Sequence, residues 1–231
     1  MKTSVAATLG AGAFTVILAA YLFAYATTVR DPVEWKTGDL IVQDSKAEEV
    51  LPLFAADGTG LTHIGMVDVT PDSGAVVIEV VDTVRETPIR EFIARGKGKS
   101  FAVYRIDALS DEQRKSAVAA ARRQLGKPSD FFLRRSWDAL YSSELARLAY
   151  SDIGFDLGRM QKLSTVASDM TAVKSQFGQK WATNKDCEKR NFDQDQCWAM
   201  IAKQEVITPS NIVSDSQLTK VYSTMTEAAA K

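Results

Sequence analysis

Runs of apolar and small residues alternate with turn sequences in the first half of the chain, and they predict a small β-sheet. The strongest runs are residues 63–69 and 75–81. A Pro-Asp-Ser-Gly turn at 71–74 joins them, so we predict an antiparallel hairpin. Shorter strands are predicted at residues 40–42 and 100–106.

Helical patterns flank these strands. A short amphipathic helix is predicted at residues 46–54 and another at 88–95. Ser-Asp-Glu-Gln at 110–113 has the spacing of a capping box and predicts a long helix reaching about residue 125. Residues 141–150 form a further predicted helix, and the C-terminal part is polar, with helix or loop character. The predicted fold class is α+β, a small antiparallel sheet flanked by helices.

The N-terminal 30 residues have the pattern of a membrane signal. The 27 residues between Lys2 and Arg30 carry no charge, and residues 5–26 are almost wholly apolar or small. About 20 helical residues cross the hydrocarbon core of a bilayer. Lys2 keeps the N-terminus in the cytoplasm by the positive-inside rule, so the rest of the chain is expected outside it.

Three interpretations of this segment remain open. Its length exceeds the usual h-region of about 7–15 residues and favours a retained signal anchor. Ala24-Tyr25-Ala26 also fits a peptidase site, so a cleaved signal peptide competes, and a buried helix of a soluble core is the third. We therefore predict a domain at 31–231 that is either anchored in the inner membrane and faces the periplasm, or is secreted there after cleavage near Ala26.

Composition excludes several classes of protein. The chain has 231 residues, 28 basic and 29 acidic side chains, one histidine and two cysteines, with a formal net charge of −1. Near-neutrality argues against nucleic-acid binding, and the histidine and cysteine counts rule out zinc fingers and His-rich metalloenzymes. No cofactor or metal is expected.

Two smaller motifs have structural interpretations. In an oxidising compartment, Cys187 and Cys197 are expected to form a disulfide that closes a small loop and adds roughly 2–3 kcal/mol, although a catalytic thiol is the alternative. Residues 95–100 end like a phosphate-binding loop. However, position 93 is Ile93 where that pattern needs glycine, and the strand–loop–helix order is reversed. A solvated turn is therefore expected at 95–100.

Candidate chemistry begins with His63 and Glu79, which lie on the two strands of the predicted hairpin. A carboxylate inside so apolar a run costs free energy unless it has a partner. If the strands pair, Glu79 can face His63 and hold one tautomer of its imidazole, the orienting role in a catalytic triad. The alternatives are a structural histidine and a glutamate that faces solvent from an edge strand.

Ser142 completes the candidate triad. Ser142 and Ser143 lie where the predicted helix 141–150 begins, and serine often caps helices. A nucleophile at this position would instead benefit from the field of the helix N-terminus, which favours developing negative charge.

Five motifs in order give the chain a family resemblance. They are Gly-Asp-Leu-Ile at 38–41, Thr-His-Ile-Gly-Met-Val at 62–67, Glu79, Leu-Gly-Lys-Pro-Ser-Asp at 125–130 and Tyr-Ser-Ser-Glu-Leu at 141–145. In this order the chain resembles the circularly permuted papain-like hydrolases, and more narrowly the YiiX-like branch of the NlpC superfamily. Ile-Thr-Pro-Ser-Asn-Ile at 207–212 resembles the closing element of that branch, while the cysteine segment around 180–200 resembles an insertion. The resemblance implies His63 as base, Glu79 as orienter and the nucleophile at position 142.

The family pattern has cysteine at that position, where this chain has Ser142. A Cys–His pair can hold a thiolate in advance, whereas serine must lose its proton during attack. Three explanations are open: an engineered Cys-to-Ser trap, a natural serine variant, and a degenerate protein that only binds.

The leading functional hypothesis is a cell-envelope hydrolase or acyltransferase that acts on an amide or ester bond. Its expected partners are a peptide or acyl-bearing envelope substrate and, through the N-terminal segment, the membrane. Nucleic acid is not an expected partner. The alternatives are a non-catalytic envelope binding module that retains the fold, and a membrane-anchored subunit of an assembly.

Overall fold

The computed structural model describes residues 33–46, 52–72, 74–166 and 169–226. The predicted anchor or signal peptide lies outside these residues. The chain divides into two units, Met1–Glu34 and Trp35–Lys231. Across the described ranges, no helix is both long enough and apolar enough to span a bilayer.

An antiparallel sheet of six strands forms the centre of the second unit, with the spatial order β4-β3-β2-β1-β5-β8. The strands are β1 (Leu40–Gln43), β2 (His63–Thr70), β3 (Gly74–Val80), β4 (Val84–Pro88), β5 (Ala102–Arg105) and β8 (Thr219–Ser223), and a separate two-stranded sheet joins β6 (Gln161–Lys162) to β7 (Glu205–Val206).

The hairpin of β2 and β3 is confirmed, with Met66 opposite Ile78 and Val67 opposite Val77. The short strands predicted around 40–42 and 100–106 are also present as β1 and β5. Strand β4, which the sequence did not predict, pairs with the other side of β3. Glu79 therefore lies on an interior strand and is fully buried, so the alternative of a solvent-facing glutamate on an edge strand is wrong.

Eight α-helices are described: α1 (Pro52–Ala56), α2 (Ile89–Ala94), α3 (Asp111–Arg122), α4 (Ser142–Ser151), α5 (Thr171–Lys180), α6 (Lys185–Lys189), α7 (Gln194–Ile201) and α8 (Pro209–Val213). The capping box predicted for α3 is present, because the Ser110 side chain accepts from Gln113 N–H and the Gln113 side chain accepts in return. Residues 95–100 form a turn that contains a 3₁₀ segment, with Gly98 in the left-handed region at φ 63°. The expected solvated turn is thus observed.

Helix α4 packs against the hairpin and positions the candidate nucleophile. It contacts both β2 and β3, and its Leu145 and Tyr150 share one buried apolar cluster with Ile64 and Met66 of β2. At its C-terminal end the hydroxyl of Tyr150 donates to the carbonyl of Gly38. This bond ties the end of the helix to the loop that leads into β1.

The C-terminal helices form a small cross-linked segment. Cys187 and Cys197 are both fully buried and form the predicted disulfide, with a Cα–Cα distance of 5.4 Å. Helix α5 precedes this disulfide in the sequence and packs against α1. Its Phe177 ring stacks on the Phe132 ring, with the two ring centres 6.0 Å apart. The cysteine segment is therefore part of the folded body.

Candidate active site

His63 and Glu79 lie in direct contact at one end of the hairpin. The imidazole Nε2 is 2.7 Å from Glu79 Oε2, a hydrogen bond between a partly buried ring and a fully buried carboxylate. Side chains alternate along a strand, so His63 shares a face of β2 with Gly65, where no side chain intervenes. A Cβ on Gly65 would lie 2.3 Å from Val77 Cγ1 and 3.5 Å from Glu79 Cβ. Glycine at this position gives β3 and Glu79 the room that they occupy.

Three further groups surround the Glu79 carboxylate. Thr87 Oγ1 of β4 donates to Oε1 at 2.5 Å, and Arg95 Nη2 donates to the same oxygen. Arg85 Nε is 3.8 Å from it. Burial alone would raise the pKa of Glu79. The hydrogen bond and charge of His63 together with the bonds from Thr87 and Arg95 outweigh burial and lower the pKa from 4.5 to about 2. Glu79 is therefore ionised throughout the physiological range.

An ionised Glu79 selects the tautomer of His63. A carboxylate without a proton can only accept, so Nε2 must carry the hydrogen that is shared with it. In the neutral imidazole this leaves Nδ1 as the proton-accepting nitrogen. The ring is held from one side by Phe92 of α2, which stacks on it with centroids 5.5 Å apart and planes 28° apart. This arrangement suits a general base.

Ser142 is the first residue of α4, and its side chain does not cap the helix. The N-cap residue is Tyr141, whose side chain makes no capping hydrogen bond, and the Tyr141 backbone N–H donates to the Glu144 side chain. The capping interpretation of Ser142 and Ser143 is therefore wrong. Backbone N–H groups in the first turn without side-chain acceptors can hold a developing oxyanion, which the helix dipole also favours.

The structure brings together two of the three predicted site residues. His63 and Glu79 are hydrogen-bonded. Ser142 is buried at the start of the helix that packs on their hairpin, but within the described ranges no hydrogen bond joins its hydroxyl to the imidazole. Contacts between nucleophile and base are often long before a substrate binds, so geometry without substrate does not remove a candidate.

Glu144, two residues after Ser142, is an unusual carboxyl group. Burial, with a smaller contribution from the charge of Asp130, raises its pKa from 4.5 to about 8. Its Oε2 is buried and has no hydrogen-bond partner. Glu144 also lines a cleft of about 880 Å³ on the outer side of α4, together with Tyr141, Leu148 and Trp137. The cleft is large enough for a small molecule or a short segment of a polymer.

Sequence analysis missed Thr87, Arg95 and Phe92. Thr87 lies on strand β4, which the sequence pattern does not predict, and Arg95 begins a motif that by itself predicts only a turn. Phe92 carried the ordinary signal of an apolar helix residue. No local pattern marks these residues as neighbours of His63, because the pairing of β4 with β3 brings Thr87 to the site.

Groups able to ligate a metal are dispersed. In the described ranges, no three residues among histidine, cysteine, aspartate and glutamate come together as a potential metal site. Both cysteines are in the disulfide, and the histidine is bonded to Glu79.

Residues 34–222 match the family model of permuted papain-like amidase enzymes, the YaeF/YiiX or C92 peptidase family. The chain belongs to this family. The permuted papain-like amidases are hydrolases. The predictions of a permuted papain-like family and of a hydrolase-like enzyme are therefore confirmed. The antiparallel sheet flanked by helices also fits the papain-like fold.

Two similar proteins place the chain within the family. The protein YiiX of Escherichia coli (strain K12) is 29% identical over 188 residues, which are 80% of this chain and 85% of YiiX. A crystal structure described as the metalloprotein YiiX from Escherichia coli O157:H7 superposes with a TM-score of 0.69 at 27% identity. This likeness covers 83% of the present chain and 98% of the YiiX chain in that structure.

Proposed function

We propose that this permuted papain-like protein is a cell-envelope hydrolase or acyltransferase that cleaves an amide or ester bond. Position 142 supplies the nucleophile, His63 the base and Glu79 the orienting carboxylate. The observation that carries the proposal is the hydrogen bond of 2.7 Å between His63 Nε2 and an ionised Glu79, which leaves Nδ1 as acceptor. The proposal includes membership of the NlpC superfamily, with serine where the family pattern has cysteine.

The reaction follows from these positions. As the nucleophile attacks the substrate carbonyl carbon, its proton passes to Nδ1 of His63, and Glu79 stabilises the resulting imidazolium. The tetrahedral oxyanion is held by first-turn N–H groups of α4. When the intermediate collapses, the imidazolium gives its proton to the leaving amine or alcohol. Water or another acceptor, deprotonated in turn by His63, then attacks the acyl carbon, and the imidazolium returns that proton to the side chain at position 142 as the acyl group leaves.

The envelope location is part of the proposal. It is supported by the disulfide between Cys187 and Cys197, because such bonds persist in oxidising compartments and are rare in the cytosol. It is also supported by the uncharged stretch between Lys2 and Arg30, which suits an anchor or an export signal.

A cysteine placed at position 142 tests the site directly. The chain has only two cysteines and both are in the disulfide, so the unmodified protein offers no thiol background. We expect the Ser142→Cys variant to react with an electrophilic thiol probe at least about tenfold faster than a Ser143→Cys variant. Ser143 is fully buried one residue further along the same helix turn, which makes it a matched control.

The contribution of His63 is measured in the same background. Adding His63→Gln to Ser142→Cys is expected to reduce the labelling rate at pH 7 by at least about tenfold, because the thiolate loses its base. Equal labelling at positions 142 and 143, or a rate that His63→Gln leaves unchanged, would reject the proposed site.

A non-catalytic binding module is the second candidate, favoured by the serine itself. A site shaped for a thiolate has no comparable means of ionising a hydroxyl in advance. In that case Ser142→Cys still reacts with the probe. The unmodified protein, in contrast, does not turn over ester or amide substrates that the cysteine variant cleaves. A single hydrolysis assay on both forms separates the two candidates.

A further inference from the structure

Each oxygen of the Glu79 carboxylate has its own set of partners. Oε2 accepts from His63, while Oε1 accepts from Thr87 and from Arg95. A carboxylate that is held on one oxygen by two donors cannot rotate away without breaking both bonds. The other oxygen is thereby directed at the imidazole.

The backbone around Arg95 fixes where its guanidinium lies. The carbonyl of Arg95 accepts from Lys46 N–H at 2.9 Å, and its own N–H donates to the carbonyl of Phe92 at 3.2 Å. The guanidinium lies 5.7 Å from the centre of the Phe92 ring, and the same ring stacks on His63. Arg95, Glu79, His63 and Phe92 therefore form one closed set of contacts.

We propose that Arg95 is a positioning residue of this site, which aims Glu79 at Nε2 of His63 and balances the carboxylate charge that the imidazole experiences. The inference rests on the proposed role of His63 as the base. A general base must be neutral before it acts, and an unbalanced carboxylate in contact with the ring would favour the imidazolium form. A guanidinium on the far oxygen opposes that effect and keeps the carboxylate ionised.

The charged groups that face this set come from three elements. Glu79 lies on β3, Arg95 follows α2, and Arg85 lies on β4. Arg85 Nε is 3.8 Å from Glu79 Oε1, but its side chain is 42% exposed and it also pairs with Asp82 at 3.5 Å. Arg85 is thus a matched control, because it has the same charge near the same oxygen without the hydrogen bond or the contact with Phe92.

The single histidine of the chain makes the test direct, because one imidazole signal in a proton NMR titration belongs to His63. In the full-length protein in mild detergent, we expect Arg95→Gln to move the titration midpoint of that signal to higher pH by about 0.5 unit or more. Glu79→Gln should move the midpoint to lower pH. Arg95→Lys, which keeps the charge, should return it most of the way to the wild-type value, and Arg85→Gln should shift it by less than half as much as Arg95→Gln.

A purely structural role for Arg95 predicts a different pattern. In that case Arg95→Lys would not restore the midpoint, and Arg95→Gln would move it no more than Arg85→Gln does. Either result overturns the proposal. If Arg95→Gln fails to fold, Thr87→Val provides the second measurement, because it keeps every charge and removes one of the bonds that hold Oε1. A downward shift, in the same direction as Glu79→Gln, supports the orienting role of the bonds to Oε1, and no shift contradicts it.

This titration separates the inference from the proposed function. The midpoint depends only on contacts among Arg95, Glu79 and His63, and it requires no reaction at position 142. If Ser142→Cys is not labelled by the probe but the NMR midpoints shift as expected, the hydrolase proposal is rejected. The electrostatic coupling between Arg95, Glu79 and His63 then still stands. Normal labelling without the shifts would reject the role of Arg95 alone.

Discussion

Replacing Glu79 with glutamine measures how strongly the buried carboxylate stabilises the fold. The pKa of Glu79 is about 2, against an ordinary value of 4.5, and the side chain exposes no surface. A difference of about 2.5 units corresponds to about 3 kcal/mol, at roughly 1.4 kcal/mol per unit. Because the folded-state pKa lies below the unfolded value, the stabilisation is fully present above pH 4.5 and is lost as the pH falls towards 2.

The assay is urea unfolding of the full-length protein in mild detergent, followed by the fluorescence of its four tryptophans at pH 7, 5 and 3. We expect Glu79→Gln to be less stable than wild type by about 3 kcal/mol at pH 7, and by about 1 kcal/mol at pH 3. Other carboxylates titrate in both proteins, so the difference between the two isolates Glu79.

Glu86→Gln is the control for this experiment. Glu86 lies on β4 and pairs with Arg122 at 2.6 Å, but both side chains are 37% exposed. An ion pair so open to solvent contributes about 1 kcal/mol or less. A deficit for Glu79→Gln that is equal at pH 7 and pH 3 would refute the reasoning, because the loss would then not come from an ionised carboxylate.

Two further predictions concern the disulfide and the first turn of α4. Replacing Cys187 and Cys197 together with serine is expected to lower the free energy of unfolding by about 2–3 kcal/mol, the entropy of closing a short loop. Thermal unfolding with and without reductant checks this, and an identical Tm for the two forms would contradict it. For Glu144 the folded-state pKa of about 8 lies above the ordinary 4.5. Stability therefore falls as the pH rises from 4.5 to 8, because Glu144 ionises in the unfolded state over this range while it stays protonated in the folded state. Glu144→Gln should therefore match wild type near pH 4.5 and exceed its stability at pH 8.5 by a few kcal/mol. If Glu144→Gln and wild type are equally stable at both pH values, Glu144 is not desolvated in the folded protein.

Several parts of the fold were predictable because their causes are local. The hairpin of β2 and β3 follows from alternating apolar residues and a turn sequence between them, and α3 follows from the capping box of Ser110 and Gln113. The disulfide follows from a count of two cysteines in a chain with an export-like N-terminus. Strand β8, at residues 219–223, had no such signal: its residues are mostly exposed, and it is a strand because it pairs with β5.

At the candidate site, the sequence likewise indicated the central residues, whereas only the tertiary structure shows the groups around them. The sequence has one histidine, which made His63 the candidate imidazole, and a carboxylate inside an apolar run indicated Glu79. Ser142 was named through the family resemblance, because the chain has many other serines. The order of residues along the chain does not give the surroundings of Glu79, because strand pairing and burial determine which groups contact its carboxylate. Thr87 reaches Glu79 because β4 pairs with β3, and Arg95 reaches it because its backbone is bonded to Lys46, 49 positions earlier in the chain. Hydrogen bonds between residues distant in sequence depend on how the elements pack, and they set the charge, the tautomer and the orientation of the groups at this site.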